Sequence, residues 1–231
     1  MNIAINPASL NALYADTLGG AGHPMVPAMD LALAASFGSV ALWRAQFMAL
    51  GAALGAGPGW VVLTFLPGEG RLVNQSVPGA LETSAQGEPL LALDMAAQAG
   101  AGSEAFLADI DWDKVYARYQ HAVHAVGDAL AADPERLAQA VLLDVRRAGV
   151  FEQATTVMPG ATWRDPANVA EWATELPADQ EVIVYCVYGH EVGRTTAMQL
   201  KARGVNARFL AGGIDAWQKA GHPVQAKGEP T

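Results

Sequence analysis

The chain is poor in cysteine and in positive charge. Cys186 is the one cysteine among 231 residues, which excludes an internal disulfide framework and suits a reducing, cytoplasmic compartment. Fourteen basic residues stand against 23 acidic ones, for a formal net charge of -9. That balance disfavours nucleic acid and anionic membranes, so neither is an expected partner. With 52% apolar residues the chain is expected to fold, as two domains.

Long apolar runs without helix breakers are also missing. Residues 47–66 carry no charge and are long enough to span a bilayer. Breakers interrupt them at Gly51, Gly55, Gly57, Pro58 and Gly59. A helix, a glycine turn and a buried strand at 60–65 are therefore predicted, followed by a hairpin turn at 67–70. Residues 1–4 lack the basic and apolar pattern of a signal peptide.

Cys186 stands at the end of a predicted strand, 181–185, and precedes a glycine-containing turn and a helical segment. The end of a parallel strand lies at the rim of its sheet. There the unpaired N–H groups and the positive end of the next helix favour the thiolate. A lone cysteine can equally fill core volume as a small hydrophobe, and its position alone does not decide between the two.

Short motifs surround this cysteine in a fixed order. They are L-L-D-V-R at 142–146, P-G-A at 159–161, V-Y-C at 184–186, L-A-G-G-I-D-A-W at 210–217 and A-G-H-P-V at 220–224. In this order and spacing, residues 137–227 resemble the rhodanese-like sulfurtransferase domain. The resemblance implies an α/β fold and a persulfide carried on Cys186.

The same stretch alternates predicted strands with predicted helices. Strands are expected at 141–145 and 181–185, and helices after Asp133, after Asp165, at 195–203 and at 214–220. Such alternation predicts a parallel sheet with helices on both faces. An amphipathic helix capped by Asp111 precedes it, and Asp133-Pro134 marks the expected boundary between domains 1–132 and 133–231.

The loop after the cysteine is the predicted site. It comprises Cys186, Val187, Tyr188, Gly189, His190, Glu191, Val192, Gly193 and Arg194. Counted back from Leu200, it is one residue longer than the C-x-x-G-x-R loop of ordinary rhodaneses. Glu191 stands where that loop carries arginine, and Val192 where the related C-x5-R phosphatases carry theirs. A carboxylate beside a bound anion costs about 1 kcal/mol or more, so phosphate and arsenate are expected to bind weakly.

Two residues of this loop offer positive charge. Arg194 is expected to be able to reach back from the first helical turn, and His190 is a cation when protonated. In the alternative, His190 and Glu191 are solvated residues of the loop tip or pair with each other.

The N-terminal half carries a second set of motifs. They are F-G-S at 37–39, L-W-R-A-Q-F at 42–47, G-P-G-W-V-V-L at 57–63, P-L-L-A-L-D at 89–94 and W-D-K-V-Y-A-R-Y at 112–119. Through them, residues 10–125 resemble the iron/manganese superoxide dismutases, chiefly their C-terminal domain. The resemblance implies an α+β domain with a small antiparallel sheet.

The metal ligands of that family do not carry over. The resemblance implies three histidines and one aspartate, the last two as D-x-x-x-H. Here Asp94 is present, but Gln98 replaces the histidine and Ala97 replaces a glutamate used across the dimer interface. The place of the second histidine falls near Asn11. One carboxylate and an amide do not form an iron or manganese site, so no metal or other cofactor is expected. A degenerate, structural or interaction domain is predicted.

Three functions remain open from the sequence. The first is a sulfurtransferase or persulfide carrier, which takes sulfur from thiosulfate or a persulfide and passes it to a thiol through Cys186. The second is an arsenate- or phosphate-ester enzyme of the same fold, and the third is a non-catalytic binding module. The expected partners are small sulfur-containing anions or protein thiols, and a homodimer is left open.

Overall fold

The structure, a computed structural model, describes residues 2–5, 7–20, 22–55, 57–79, 83–97 and 103–228 of the chain. The chain divides into two compact units, residues 1–67 with 71–122, and residues 68–70 with 123–231. The division falls inside a helix, whereas the sequence predicts a boundary between residues 132 and 133. Residues 123–132 therefore group with the C-terminal unit.

The N-terminal unit is built on an antiparallel sheet. Its elements, in chain order, are β1 (Asn2–Ile5), α1 (Pro7–Asp16), α2 (Pro27–Phe37), α3 (Val40–Leu54), β2 (Gly59–Leu66), β3 (Arg71–Pro78), β4 (Thr83–Gln86), β5 (Glu88–Asp94), α4 (Ser103–Asp109) and the start of α5 (Trp112–Gly127). Three strands form the sheet in the order β3–β2–β5, and β1 pairs separately with β4. Within the described ranges, no single helix is long and apolar enough to cross a membrane; only α2 and α3 taken together, bent by 67°, pass by length and composition.

Local sequence explains why the uncharged stretch becomes a helix and a strand. Ser39 begins α3, because its hydroxyl accepts a hydrogen bond from the Leu42 N–H at 3.1 Å. Gly55 ends α3 with a positive φ of 71°, which glycine adopts without strain. The apolar strand β2 follows and pairs with β3 across the turn at 67–70. The predicted helix, glycine turn, strand and hairpin are thus confirmed.

The C-terminal unit is built on a parallel sheet. Its elements are the end of α5, then β6 (Val141–Asp144), α6 (Ala148–Gln153), β7 (Thr156–Val157), β8 (Thr162–Trp163), α7 (Val169–Trp172), β9 (Val182–Tyr185), α8 (Glu191–Ala202), β10 (Ala207–Phe209), α9 (Gly213–Lys219) and β11 (Gln225–Ala226). The four sheet strands lie in the order β10–β9–β6–β8, and all are parallel. The predicted fold class, a parallel α/β unit after an α+β unit with a small antiparallel sheet, is confirmed.

Several helix bounds differ from the prediction. Asp133 and Asp165 act as caps, each accepting a hydrogen bond from the N–H two residues on. The segments that follow are 3-10 helices, Pro134–Gln139 and Pro166–Asn168, because runs this short favour the tighter i to i+3 bonds. Helix α8 begins at residue 191 rather than at 195. Its first turn therefore contains four residues that the sequence assigns to the loop.

Successive residues of β9 face opposite sides of the sheet, as in any strand. Val182 and Val184 lie in one buried cluster, and Ile183 and Tyr185 lie in the other. Cys186 continues this alternation and belongs to the first cluster, which also contains residues of α7 and α8. The alternation thus directs the cysteine side chain toward α8.

Candidate functional site

The Cys186 sulfur is buried under a ring of backbone donors. The residue is 6% exposed, and a Cβ placed on Gly193 would lie 3.4 Å from Sγ. The backbone N–H groups of Gly193, Gly189, His190 and Tyr188 donate hydrogen bonds to Sγ. The first turn of α8 therefore lies directly against the sulfur. The site is a small nest of backbone donors, which suits a sulfur anion.

Burial raises the pKa of the Cys186 thiol above its ordinary value, although the four N–H donors act in the opposite direction. The sequence predicts that donors and helix end together favour the thiolate. The donors are present, but the net direction of the prediction is wrong, because removing the sulfur from water outweighs them. The resting side chain is therefore a thiol held in a site shaped for an anion.

The second glycine of the L-A-G-G motif supports the cysteine loop. Gly213 has a φ of 58°, and a Cβ there would lie 2.4 Å from both the Cys186 and the Val187 carbonyl oxygens. The N–H groups of Ile214 and Asp215, at the start of α9, donate to these two carbonyls at 3.0 Å. Because α9 binds the loop carbonyls, the loop N–H groups are turned toward the sulfur.

The L-L-D-V-R motif serves the fold rather than the chemistry. Asp144, fully buried at the end of β6, accepts hydrogen bonds from the Arg146 guanidinium and, at 2.9 Å, from the Tyr185 hydroxyl. The Met158 N–H donates to that hydroxyl at 3.2 Å. Burial, followed by the negative charge of Asp144, raises the pKa of Tyr185. This network ties β6 to β9 beside the cysteine.

Arg194 braces the loop from within the first turn of α8. Its guanidinium donates to the Gly189 carbonyl and to Asp128 Oδ1, and it lies 4.4 Å from the centre of the Phe209 ring. A Cβ on Gly127 would lie 2.8 Å from Arg194 Cδ, so the end of α5 packs tightly on this side chain. With these partners, Arg194 does not reach back over the sulfur as the sequence suggests.

Glu191 is a buried residue rather than a solvated one at the loop tip. Its side chain is 4% exposed, and Oε1 lies 3.1 Å from Nε2 of His124. His190, in contrast, is exposed, as is Tyr188, which is 55% exposed. Val187 is partly buried, and Val192 packs against the core. The structure thus brings the predicted residues around one sulfur, and their role in function stays a prediction.

His124 and Asp128 are site residues that sequence reasoning missed. They lie four positions apart at the end of α5 and just beyond it, so they share one helical face. Opposite them, Glu191 and Arg194 lie three apart on α8, so that Glu191 contacts His124 and Arg194 forms an ion pair with Asp128. The sequence does contain a signal for these contacts. A basic and an acidic residue stand at this spacing near the end of α5, and an acidic and a basic residue stand in the matching order at the start of α8.

The described residues of the N-terminal unit offer no cluster that fits an iron or manganese ion. Among the described residues, no three His, Cys, Asp or Glu side chains converge. Asp94 is partly buried, and its Oδ1 accepts a hydrogen bond from the Ala96 N–H at 2.9 Å. Gln98 lies outside the described residues. The expectation that this unit binds no metal stays a prediction.

Comparisons with known proteins cover both units. Residues 26–99 match the C-terminal domain of iron/manganese superoxide dismutases, and residues 128–220 match the rhodanese-like domain. The iron superoxide dismutase of Cupriavidus metallidurans is 42% identical over 130 residues, 52% of this chain. The manganese superoxide dismutase 2 of Halobacterium salinarum is 35% identical over 114 residues, 45% of this chain. The matches span 66% and 55% of those two proteins' own lengths.

A solved structure is similar to part of the chain. A rhodanese-related protein from Thermoplasma volcanium is 25% identical, covers 39% of this chain and 88% of its own, and superposes with a TM-score of 0.36. The family matches agree with the motifs in both halves. The chain therefore contains an iron/manganese superoxide dismutase C-terminal domain at residues 26–99 and a rhodanese-like domain at residues 128–220.

Proposed function

We propose that the protein is a sulfurtransferase or persulfide carrier that works through Cys186. The observation that carries this proposal is the set of four backbone N–H groups around Sγ. Such donors bind a sulfur anion without any side-chain cation, and they require no general acid or base. The donor is a small sulfane anion such as thiosulfate, or a persulfide, and the acceptor is a thiol or another thiophile.

The reaction proceeds in two displacement steps. Cys186 first loses its proton to water, and the thiolate attacks the outer sulfur of thiosulfate. A new S–S bond forms, the S–S bond of thiosulfate breaks, and sulfite leaves with the electron pair. In the second step an acceptor thiolate attacks the outer sulfur of the persulfide, and the Cys186 thiolate leaves. No oxidant is consumed in either step.

Phosphate-ester chemistry is less well supported by the same residues. A phosphate dianion needs a cation at the loop, typically an arginine that binds two oxygens. Arg194 donates instead to Gly189 and Asp128, and Val192 packs against the core. The N–H groups face Sγ, beside which the single negative charge of a persulfide would lie, and Arg194, the arginine of the loop, is not available to bind the oxygens of a phosphate group.

The proposal is tested by the mass of the intact protein after incubation with thiosulfate. Because the chain has one cysteine, a gain of one sulfur atom that cyanide removes identifies a Cys186 persulfide. Cys186→Ser, which changes the buried volume little, is expected to gain no sulfur and to form no thiocyanate. Sulfur transfer by the serine variant, or an unchanged mass of the wild type together with turnover of a phosphate ester, would contradict the proposal.

The matched control is the thermal unfolding of the serine variant. A hydroxyl accepts the same N–H hydrogen bonds, so the unfolding temperature is expected to stay close to that of the wild type. If the serine variant loses sulfur transfer but unfolds at the wild-type temperature, the loss is due to the missing sulfur atom and not to a damaged fold. A non-catalytic binding module, in contrast, would acquire no sulfur in either form.

A further inference from the structure

Two imidazole rings lie together beside the cysteine loop. The rings of His124, from α5, and His190, from the loop, are 5.8 Å apart between centroids. The Tyr188 ring lies 5.6 Å from the His190 ring. The His190 backbone N–H is itself one of the donors to Sγ. The His190 and Tyr188 rings therefore belong to the loop that surrounds the sulfur, and the His124 ring lies next to them.

We propose that His124 and His190 together attract the anionic sulfur donor and so replace the missing loop arginine. This inference rests on the proposed function for the identity of the donor. His124 lies before the residues that match the rhodanese-like domain, which begin at 128. His190 lies within them, directly before α8.

The geometry gives each histidine a distinct part. His124 is held in place, because its Nε2 lies 3.1 Å from the buried Glu191 carboxylate while the side chain keeps 38% of its surface exposed. His190 is exposed and lies on the loop itself. The Glu191 carboxylate offsets part of the charge of His124, so His190 is expected to contribute more to the attraction of an anion.

Other charged and titratable groups surround the two rings. Glu191 and Arg194 stand on α8, Asp128 follows α5, and Tyr188 and Cys186 belong to the loop. Arg194 and Asp128 form an ion pair with each other. Histidine is the side chain whose charge changes between about pH 5 and pH 8. The attraction for anions is therefore expected to be strong at the acidic end of this range and weak at the alkaline end.

A pair of alkylating reagents measures this attraction without any sulfur transfer. Iodoacetate and iodoacetamide share a leaving group and differ in charge, so the ratio of their rate constants at Cys186 cancels the thiolate fraction. For the wild type, the ratio of the iodoacetate to the iodoacetamide rate is expected to fall about tenfold from about pH 5.5 to about pH 8, the effect of roughly one unit charge nearby. Added salt should flatten the profile.

The variants are His124→Gln, His190→Gln and the double substitution. Glutamine at 124 retains an N–H donor for Glu191 but does not titrate, and position 190 is exposed, so both should fold. The double variant is expected to show a low ratio that does not change with pH, and His190→Gln alone should account for more of the loss. His222→Gln is the matched control and should behave as the wild type. His222 follows the C-terminal end of α9, and its ring stacks on Trp217 with 4.1 Å between the ring centroids.

A double variant that keeps the wild-type ratio and its pH profile would overturn the inference. The thiosulfate mass assay is read separately on the same samples. If no sulfur is acquired but the ratio behaves as expected, the proposed function fails and the anion-attracting pair stands. If sulfur is acquired while the ratio is insensitive to both substitutions, the pair is refuted and the sulfurtransferase stands.

Discussion

Replacing Arg194 by methionine should loosen the cysteine loop rather than merely weaken anion binding. The side chain is buried, its guanidinium donates to the Gly189 carbonyl and to Asp128, and it lies over the Phe209 ring. A hydrogen bond from a charged group contributes about 1.5–3 kcal/mol, and the ring contact about 0.5–1 kcal/mol or more. Arg194→Met is therefore expected to cost the C-terminal unit about 2–4 kcal/mol.

Two further substitutions separate the contributions. The Asp128 side chain is 73% exposed, so Asp128→Ala should cost less than about 1 kcal/mol, as solvent-exposed ion pairs do. Arg194→Lys keeps the charge but loses the planar fork and the ring contact, and should resemble methionine more than the wild type. The ordering of the three variants tests whether the Gly189 carbonyl is the important partner.

Hydrogen exchange followed by mass spectrometry is the appropriate assay, because peptides from β9 and α8 report on the C-terminal unit alone. A loss of about 2 kcal/mol accelerates their exchange roughly 30-fold where it proceeds by unfolding of the unit. If Arg194→Met leaves exchange unchanged but lowers the iodoacetate to iodoacetamide ratio at Cys186, the arginine binds anions and the bracing role is refuted.

Three further outcomes are expected. Purified protein should contain no stoichiometric iron or manganese and should not dismutate superoxide; elemental analysis that finds about one metal per chain, lost in Asp94→Asn, would contradict this. The pKa values of Cys186 and Tyr185 are both raised in the folded unit, so both side chains lose their protons at a lower pH in the unfolded chain. The unit should therefore lose stability as the pH rises above the ordinary cysteine pKa of 9.0. Hydrogen exchange of the C-terminal unit across this range should show that loss, smaller in Cys186→Ser; a stability that rises with pH would refute the sign. Glu191→Arg places a second basic side chain against His124, so it should decrease the free energy of unfolding by about 2 kcal/mol or more. It is not expected to lower the KM for thiosulfate. Unchanged hydrogen exchange together with a lower KM would show instead that Glu191 acts by repelling the donor.

The parallel sheet and the place of the cysteine were predictable because they depend on local pattern. An apolar run that ends in Cys186, a following glycine turn and a helix specify a strand-end sulfur whatever packs around it. The glycines at 212 and 213 likewise occupy positions where a Cβ would strike backbone or a neighbouring side chain. The steric constraint at Gly213 acts between the cysteine loop and the start of α9, and the order of strands and helices along the chain already implies that these segments are in contact.

The partners of the loop side chains were not predictable in the same way. Glu191 pairs with His124, and Arg194 with Asp128, through the packing of α5 against α8. The sequence distance between these partners is large, and the predicted domain boundary after residue 132 separates His124 and Asp128 from α8. The depth of burial that raises the Cys186 pKa is also a tertiary property, since it depends on every segment that covers the sulfur.

The raised pKa of Cys186 and the N–H donors around it have different consequences at different stages of the proposed sulfur transfer. In the resting protein, burial keeps the sulfur protonated, which should protect it from oxidation, because oxidation follows thiolate character and exposure. A persulfide adds one more sulfur beyond Sγ and places the negative charge on that outer atom. We expect this outer atom to lie farther from the apolar core that disfavours charge and to remain within reach of the N–H groups around Sγ. The same nest that fails to ionise the thiol is therefore expected to stabilise the anion of the loaded form, which is the state that a sulfur carrier must preserve.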